Sequence, residues 1–236
     1  MKKTLIITGA SKGIGHATAH LFQAKGWQII NISRSDSDIP GIININVDLS
    51  VTNFESSLSL ALEKHLEHGI QQPICLVHNA AYHVNDSIAQ QDPHELTNAL
   101  SVALISPAIL NQYLIPRMMA GSSIIYMGST LAEKAVPNAA SYVIAKHATV
   151  GMMRATCQDL ATSNIHTCCV CPGFTNTEML QHHLGDKPEL MDLVKKRVGA
   201  ERLIEPAEIA EIIYFVAGHP TINGSVLHAN LGQLET

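Results

Sequence analysis

Leu5-Ile6-Ile7-Thr8-Gly9-Ala10-Ser11-Lys12-Gly13-Ile14-Gly15 decides the fold: an apolar, β-rich run enters a turn with glycines at 9, 13 and 15, and a helical pattern leaves it. Glycines tolerate positive φ and let the main chain approach a pyrophosphate, while the first N–H groups of the following helix present the positive end of its dipole. Strand, turn and helix in that order are the context a dinucleotide fingerprint requires. The spacing Gly9-x-x-x-Gly13-x-Gly15 departs from the Gly-x-Gly-x-x-Gly form. A glycine turn without a ligand is the plain alternative, and the register of the three elements argues against it.

The alternation continues outward. Apolar β-rich segments lie at 5–8, 29–33, 43–47, 74–78, 124–129, 166–171 and 226–229, with helical patterns at 13–25, 51–67, 93–119, 141–162 and 206–217. Strand then helix, repeated, predicts a parallel sheet covered on both faces, and strands apolar nearly throughout fit burial on both sides. The expectation is an α/β fold: one domain over 1–236, a Rossmann-type doubly wound parallel sheet of about seven strands with helices on both faces. No repeat, low-complexity tract or linker interrupts it. Residues 178–199 stand apart, rich in charge and histidine just after Pro172-Gly173. Ligands of such sheets bind beyond the carboxyl ends of the strands, which makes 178–199 the candidate substrate lid.

A chain of 236 residues buries a substantial core, and its formal net charge of −5 gives no basic surface for nucleic acid or anionic membrane. A small-molecule enzyme fits better. The five cysteines are odd in number, and Cys168, Cys169 and Cys171 crowd one strand. That pattern predicts buried thiols in a reducing, cytoplasmic setting rather than a disulfide framework. Met1-Lys2-Lys3 has the look of a signal peptide, but the apolar run ends at Thr8-Gly9, too short for an h-region, and reads as the first strand. Thirteen histidines include the pairs His16/His20, His65/His68 and His182/His183. None has a third ligand nearby in sequence, so no metal site is expected; His182 or His183 could touch substrate from the lid.

Tyr142 and Lys146 stand one helical turn apart, with Ser129 thirteen positions before the tyrosine. Side chains four apart share a helix face, so an ammonium can sit beneath a phenol and stabilise its phenolate. Such a phenol can trade protons with a carbonyl or an alcohol. A lone Tyr-x-x-x-Lys is usually a solvated helix face; its order and spacing with Ser129 and the glycine turn point to hydride transfer.

These motifs, with Asp48-Leu49, His78-Asn79-Ala80-Ala81 and Pro172-Gly173-Phe174-Thr175-Asn176-Thr177, resemble the short-chain dehydrogenase/reductase family over essentially the whole chain. The tail, from Arg202 through Glu205-Pro206-Ala207-Glu208-Ile209-Ala210 to Gly224-Ser225-Val226-Leu227, is similar to the 3-oxoacyl-carrier-protein reductase branch. The glycine spacing is that family's own. The resemblance implies that Tyr142 donates a proton in reduction and accepts one in oxidation. It implies that Lys146 holds nicotinamide-ribose hydroxyls and that Ser129 hydrogen-bonds the substrate oxygen.

For the cofactor it implies contacts from Gly9, Ser11, Lys12, Gly13, Ile14 and Gly15, an adenine contact from Asp48 beside Leu49, and an adenosine-side wall at Asn79 and Ala80. Pro172, Gly173 and Thr177 fall on the nicotinamide side, with Thr177 at the carboxamide; Tyr142 and Lys146 face the cofactor as well. Two plainer readings stay open: Asp48 as a cap before Ser50, and Thr175 to Thr177 as a cap for the next helix. Ser33 occupies the position where NAD-dependent members carry Asp, Arg34 follows it, and Lys12 is a second cation, which favours NADP(H) over NAD(H). Asp36 and Asp38, just beyond, keep NAD(H) open.

Three departures stand out. Ala103 falls where the family has a catalytic Asn that holds a water beside the lysine; Asn98 and Ser101 are nearby polar substitutes. Ala81 replaces a usual Gly, and Asn230-Leu231-Gly232 replaces a usual glycine pair. The implied function is an NADP(H)-dependent oxidoreductase interconverting a small ketone or 3-oxoacyl-type carbonyl and its alcohol. A catalytically weakened nucleotide-binding sensor or scaffold, motivated by Ala103, and an NAD-dependent alcohol oxidation are the alternatives. The implied partners are a small carbonyl or alcohol substrate, with no nucleic acid and no membrane, and a second copy of the chain. A homodimer or homotetramer would pair the helices of 93–119 and 141–162.

Overall fold

Alternate residues of each strand pack on opposite faces of one parallel sheet in the computed structural model, which describes residues 2–51, 53–66, 69–184 and 188–234. The strands are β1 Thr4–Thr8, β2 Gln28–Ser33, β3 Ile43–Asn46, β4 Ile74–His78, β5 Ser123–Met127, β6 His166–Pro172 and β7 Ser225–Ala229. Among the described residues these seven form a single sheet in the order β3-β2-β1-β4-β5-β6-β7, every neighbour parallel. The order reverses between β1 and β4, which opens a crevice at their carboxyl ends.

One face carries Leu5, Ile7, Cys75, Val77, Ile125, Met127, Cys168 and Val170 against Phe22 of α1 (Gly13–Ala24) and Ile209, Ile213 and Val216 of α8 (Pro206–Ala217). The other carries Ile6, Ile30, Ile32, Leu76, Ile124, Tyr126, Cys169 and Cys171 against α2 (Glu55–Glu63), α4 (Ser106–Leu114) and α5 (Ala140–Asp159). Phe22 is fully buried, edge-on to Trp27 and Tyr214 at 5.0 and 5.1 Å, and burying such a side chain contributes about 1.5–3 kcal/mol. The period of two therefore splits the apolar strands between two cores. It also splits the cysteines: Cys168 faces one core, Cys169 and Cys171 the other, all without solvent exposure and none in a disulfide. Burial pushes the thiols of Cys75 and Cys168 up to about 12.

Several expected boundaries move for local reasons. The second strand starts at Gln28, one residue before the expected 29, directly after the turn in which Gly26 adopts φ 81° and donates to the Gln23 carbonyl as α1 closes. β5 stops at Met127, short of Ser129, whose hydroxyl turns to accept the Leu131 N–H at 3.1 Å. The helix expected over 51–67 is shorter at Glu55–Glu63; Thr52, Glu67 and His68 lie outside the described residues. The long helix of 93–119 is composite: α3 (Pro93–Leu100), a π-helical turn (Ser101–Ile105), α4, and a 3₁₀ turn (Ile115–Arg117). Asp92 caps it by accepting the His94 N–H at 2.8 Å. By length and composition Pro93–Arg117 is apolar enough to cross a membrane, but its α4 side chains Leu110 and Leu114 are buried against the sheet. Segment 178–199 contains two helices, α6 (Glu178–Leu184) and α7 (Pro188–Lys196), with 185–187 outside the described residues.

Candidate active site

The turn after β1 is shaped by its glycines. Gly9 and Gly13 take φ of 73° and 56°, and Gly15 lies so close to the start of the turn that a Cβ there would stand 2.2 Å from the Gly9 carbonyl oxygen. Lys12 precedes α1 without a side-chain cap, so the first N–H groups of that helix are left for an acceptor from outside. Across the crevice, Asn79 donates from Nδ2 to the carbonyls of Thr8 and Gly9, both at 3.0 Å. The Thr8 hydroxyl accepts the N–H groups of Asn79 and Ala80 at 3.0 and 2.9 Å. These bonds lock the ends of β1 and β4 together and leave a glycine-lined cradle that a pyrophosphate fits. Ser11 and Ile14 are half-buried in the same turn.

The carboxyl end of β2 carries the next group. Asn31, fully buried and not singled out in the sequence, accepts the Ala10 N–H at 2.9 Å and donates to Ser33 Oγ and Asn44 Oδ1, both at 2.9 Å. The Ser33 hydroxyl in turn donates to the Ser35 carbonyl at 2.5 Å. Arg34 is exposed beside this network. Asp48 accepts the Ser50 hydroxyl and N–H at 2.7 and 2.9 Å, which hold its carboxyl below the ordinary value, with Arg34 adding to the effect. These bonds close a local turn after β3; the next helix starts only at Glu55, so Asp48 caps no helix. Leu49 is buried in the core. Asp38, which kept NAD(H) open, lies 2.7 Å from His16.

Tyr142, Lys146 and Ser129 converge beyond β5. Lys146 is buried, donates to the Met127 carbonyl at 2.7 Å, and places Nζ 5.5 Å from the centre of the half-buried Tyr142 ring. His83 lies 5.1 Å from that ring. Ser129 directs its N–H to Cys171 on β6. Ala103, in the π-helical turn, lines a small cavity with Lys146. Ser101 does not line it, and Asn98 instead bonds the Tyr82 hydroxyl.

Asp86 is a residue that sequence reasoning missed. It is buried and accepts both the N–H and the hydroxyl of Ser141, anchoring the first turn of α5 one residue before Tyr142. Burial raises its carboxyl, but the bonds from Ser141 and Gln91 outweigh that and leave it below the ordinary value. A depressed folded-state pKa gives stability that is present above the unfolded value near ~3.9 and is lost as pH falls through the folded one. Asp86→Ala is expected to cost about 1.5–3 kcal/mol at pH 7. In thermal unfolding the gap from wild type should close at acid pH; a gap that persists there would remove the charged bonds as its cause.

On the far side, Gly173 donates to the Ala229 carbonyl at 3.0 Å after β6 ends at Pro172, and a Cβ on it would meet Asn230 Cα at 2.9 Å. The Thr177 hydroxyl accepts the Leu180 N–H at 3.3 Å, so it does cap α6, yet its methyl lies 3.2 Å from where a Gly13 Cβ would be. Glu178 then reaches Lys12 at 2.5 Å between two well-exposed side chains. Residues 172–178 therefore close over the glycine turn. Among the described residues no three His, Cys, Asp or Glu side chains gather as metal ligands. His182 is exposed, and the side chain of His183 lies outside what is described, as does His68.

A family model described as enoyl-(acyl carrier protein) reductase matches residues 9–233. The 3-oxoacyl-[acyl-carrier-protein] reductase FabG of Vibrio cholerae is 30% identical, over 98% of this chain and 97% of that protein. Among solved structures, a short-chain dehydrogenase family protein from Francisella tularensis superposes with a TM-score of 0.87 at 25% identity, covering 98% of each chain. The aldohexose dehydrogenase of Thermoplasma acidophilum in ligand-free form also gives 0.87, at 26% identity, over 98% of this chain and 93% of that one. With its parallel sheet, glycine turn and Ser129, Tyr142 and Lys146 in one crevice, the chain belongs to the short-chain dehydrogenase/reductase family, in the branch of the 3-oxoacyl-[acyl-carrier-protein] reductases, and is an oxidoreductase acting on CH–OH donors.

Proposed function

We propose that the protein is an NADP(H)-dependent reductase of a small ketone or 3-oxoacyl-type carbonyl, the substrate class named for its Vibrio cholerae relative. The observation that carries the reading is Tyr142 over the buried Lys146 ammonium, with Ser129 two residues beyond the end of β5 and the glycine turn after β1 in the same sheet. The nicotinamide supplies the hydride when bound. Tyr142 gives its phenolic proton to the substrate oxygen in reduction and takes it back in oxidation. Ser129 donates a hydrogen bond to the same oxygen as charge develops on it. Lys146 holds the ribose hydroxyls, its position fixed by the Met127 carbonyl.

Gly9, Ser11, Gly13, Ile14 and Gly15 cradle the pyrophosphate, Asp48 and Leu49 border the adenine, Asn79 and Ala80 the adenosine, and Pro172, Gly173 and Thr177 the nicotinamide. Arg34 and Lys12 are exposed cations at the end of β2 and in the turn, and no acidic side chain stands at Ser33. The Lys12–Glu178 pair is solvent-exposed and so contributes little, which leaves Lys12 available to a phosphate. NADPH is expected to bind tightly and NADH much more weakly in a fluorescence titration, and Arg34→Ala to weaken NADPH about tenfold with NADH unchanged. Equal affinity for both nucleotides would remove the phosphate clamp. Segment 178–199 acts as the substrate lid. The second reading, a nucleotide-binding sensor, draws only on Ala103. The exposed Ile105, in the composite helix of 93–119, and Ile144, on α5, favour pairing of these two helices across a homodimer or homotetramer interface, and the buried unpaired thiols favour a cytoplasmic setting.

A further inference from the structure

His78, the last residue of β4, is buried beside the site with one ring nitrogen unaccounted for. Its Nε2 lies 2.9 Å from Asn111 Oδ1, and Asn111 Nδ2 donates to the Tyr126 hydroxyl at 2.7 Å. Asn111 therefore accepts from His78, so Nε2 carries the hydrogen and Nδ1 holds a lone pair. Burial drives the imidazole pKa down to about 4 against the opposing Asn111 bond, which keeps the ring neutral. Nδ1 is fully buried and has no partner. Buried acceptors are almost always satisfied, by protein or by an ordered water.

The same histidine lines a cavity of about 10 Å³ with Lys146, Ala103, Thr8 and Thr149. That volume is about one water molecule. Lys146 has three N–H donors, and Met127 takes one. The hydroxyl of Thr149 is engaged with the Ala145 carbonyl at 2.9 Å, and that of Thr8 accepts two main-chain N–H groups. The small side chain of Ala103 leaves the room, and the widened helical turn Ser101–Ile105 forms that wall.

We propose that this cavity holds one ordered water, accepting from Lys146 Nζ and donating to His78 Nδ1, and that His78 is a positioning residue that fixes the Lys146 ammonium beneath Tyr142. The inference rests on the reading of Lys146 and Tyr142 given under the proposed function. It makes His78, on the sheet, the polar partner that Ala103, on the helix, lacks.

The test combines a high-resolution crystal structure of the wild type with kinetics of three variants, using NADPH and a 3-oxoacyl thioester as probe. Density for a single water within hydrogen-bond reach of both nitrogens is expected; an empty cavity overturns the proposal whatever the kinetics. His78→Asn keeps an acceptor near Nδ1 and loses the Asn111 bond, whereas His78→Gln does the reverse. The expected result is kcat near wild type for His78→Asn and about tenfold lower for His78→Gln, with KM for the thioester unchanged. The opposite ranking would mean that His78 matters only through Asn111 and would overturn the positioning role. Ala103→Val, which fills the cavity, should lower kcat as His78→Gln does. Were the wild type inactive toward carbonyls, the reading of the site would fail while the water density still decided the cavity.

Discussion

Tyr142→Phe is expected to lower kcat by about 10³-fold while leaving NADPH affinity within about twofold of wild type, since a positioned general acid contributes some 10²–10⁴. The substitution removes one oxygen and keeps the ring between His83 and Lys146, so folding and the cofactor cradle are untouched. Steady-state rates with a carbonyl substrate, set beside nucleotide fluorescence, separate the two effects. Retained turnover would show that some other group delivers the proton; a joint loss of binding and rate would show that the phenol holds nucleotide instead.

Gly15→Ala is the second large effect and acts through sterics alone. The added carbon would stand 2.2 Å from the Gly9 oxygen and 2.5 Å from Asn79 Nδ2, inside the hydrogen bond those atoms make with each other. Neither can retreat cheaply: Gly9 belongs to the turn, and Asn79 is tied to Thr8 by two further bonds. A destabilisation of about 3 kcal/mol is expected, together with a loss of nucleotide affinity of more than about tenfold. Chemical denaturation and NADPH titration of the same sample would check both. A variant with wild-type stability would mean that the turn opens easily and that the glycine is dispensable.

Much of this architecture can be read from residue order because the strands are apolar on both faces and each is followed by a helix. β4 and α8 begin and end where the periodicity places them. What could not be read depends on contacts distant in sequence. The end of β5 is set by Ser129 turning toward Leu131 and Cys171, and nothing in Tyr126-Met127-Gly128-Ser129 announces it. The widened turn at Ser101–Ile105 has no composition of its own. Asp86 looks like any loop aspartate until α5 is packed against it. The motif residues of the site were legible by spacing, and the fold brings Lys146 beneath Tyr142 and ties Asn79 to Gly9. Asp48 was legible only as a choice between two uses, and the described bonds take up its carboxylate locally.

The buried chain from Ala10 through Asn31 to Ser33 and Asn44 bears on how cofactor choice can be redesigned. Installing a carboxylate at Ser33 to recruit a ribose diol would place a charge where a hydroxyl now receives the Asn31 amide and passes its own proton to Ser35. The same amide group braces the glycine turn. On the cofactor reading proposed above, changing nucleotide preference would be a coordinated substitution of Ser33 with Asn31 and Asn44, because a single exchange at Ser33 would loosen the brace on the glycine turn.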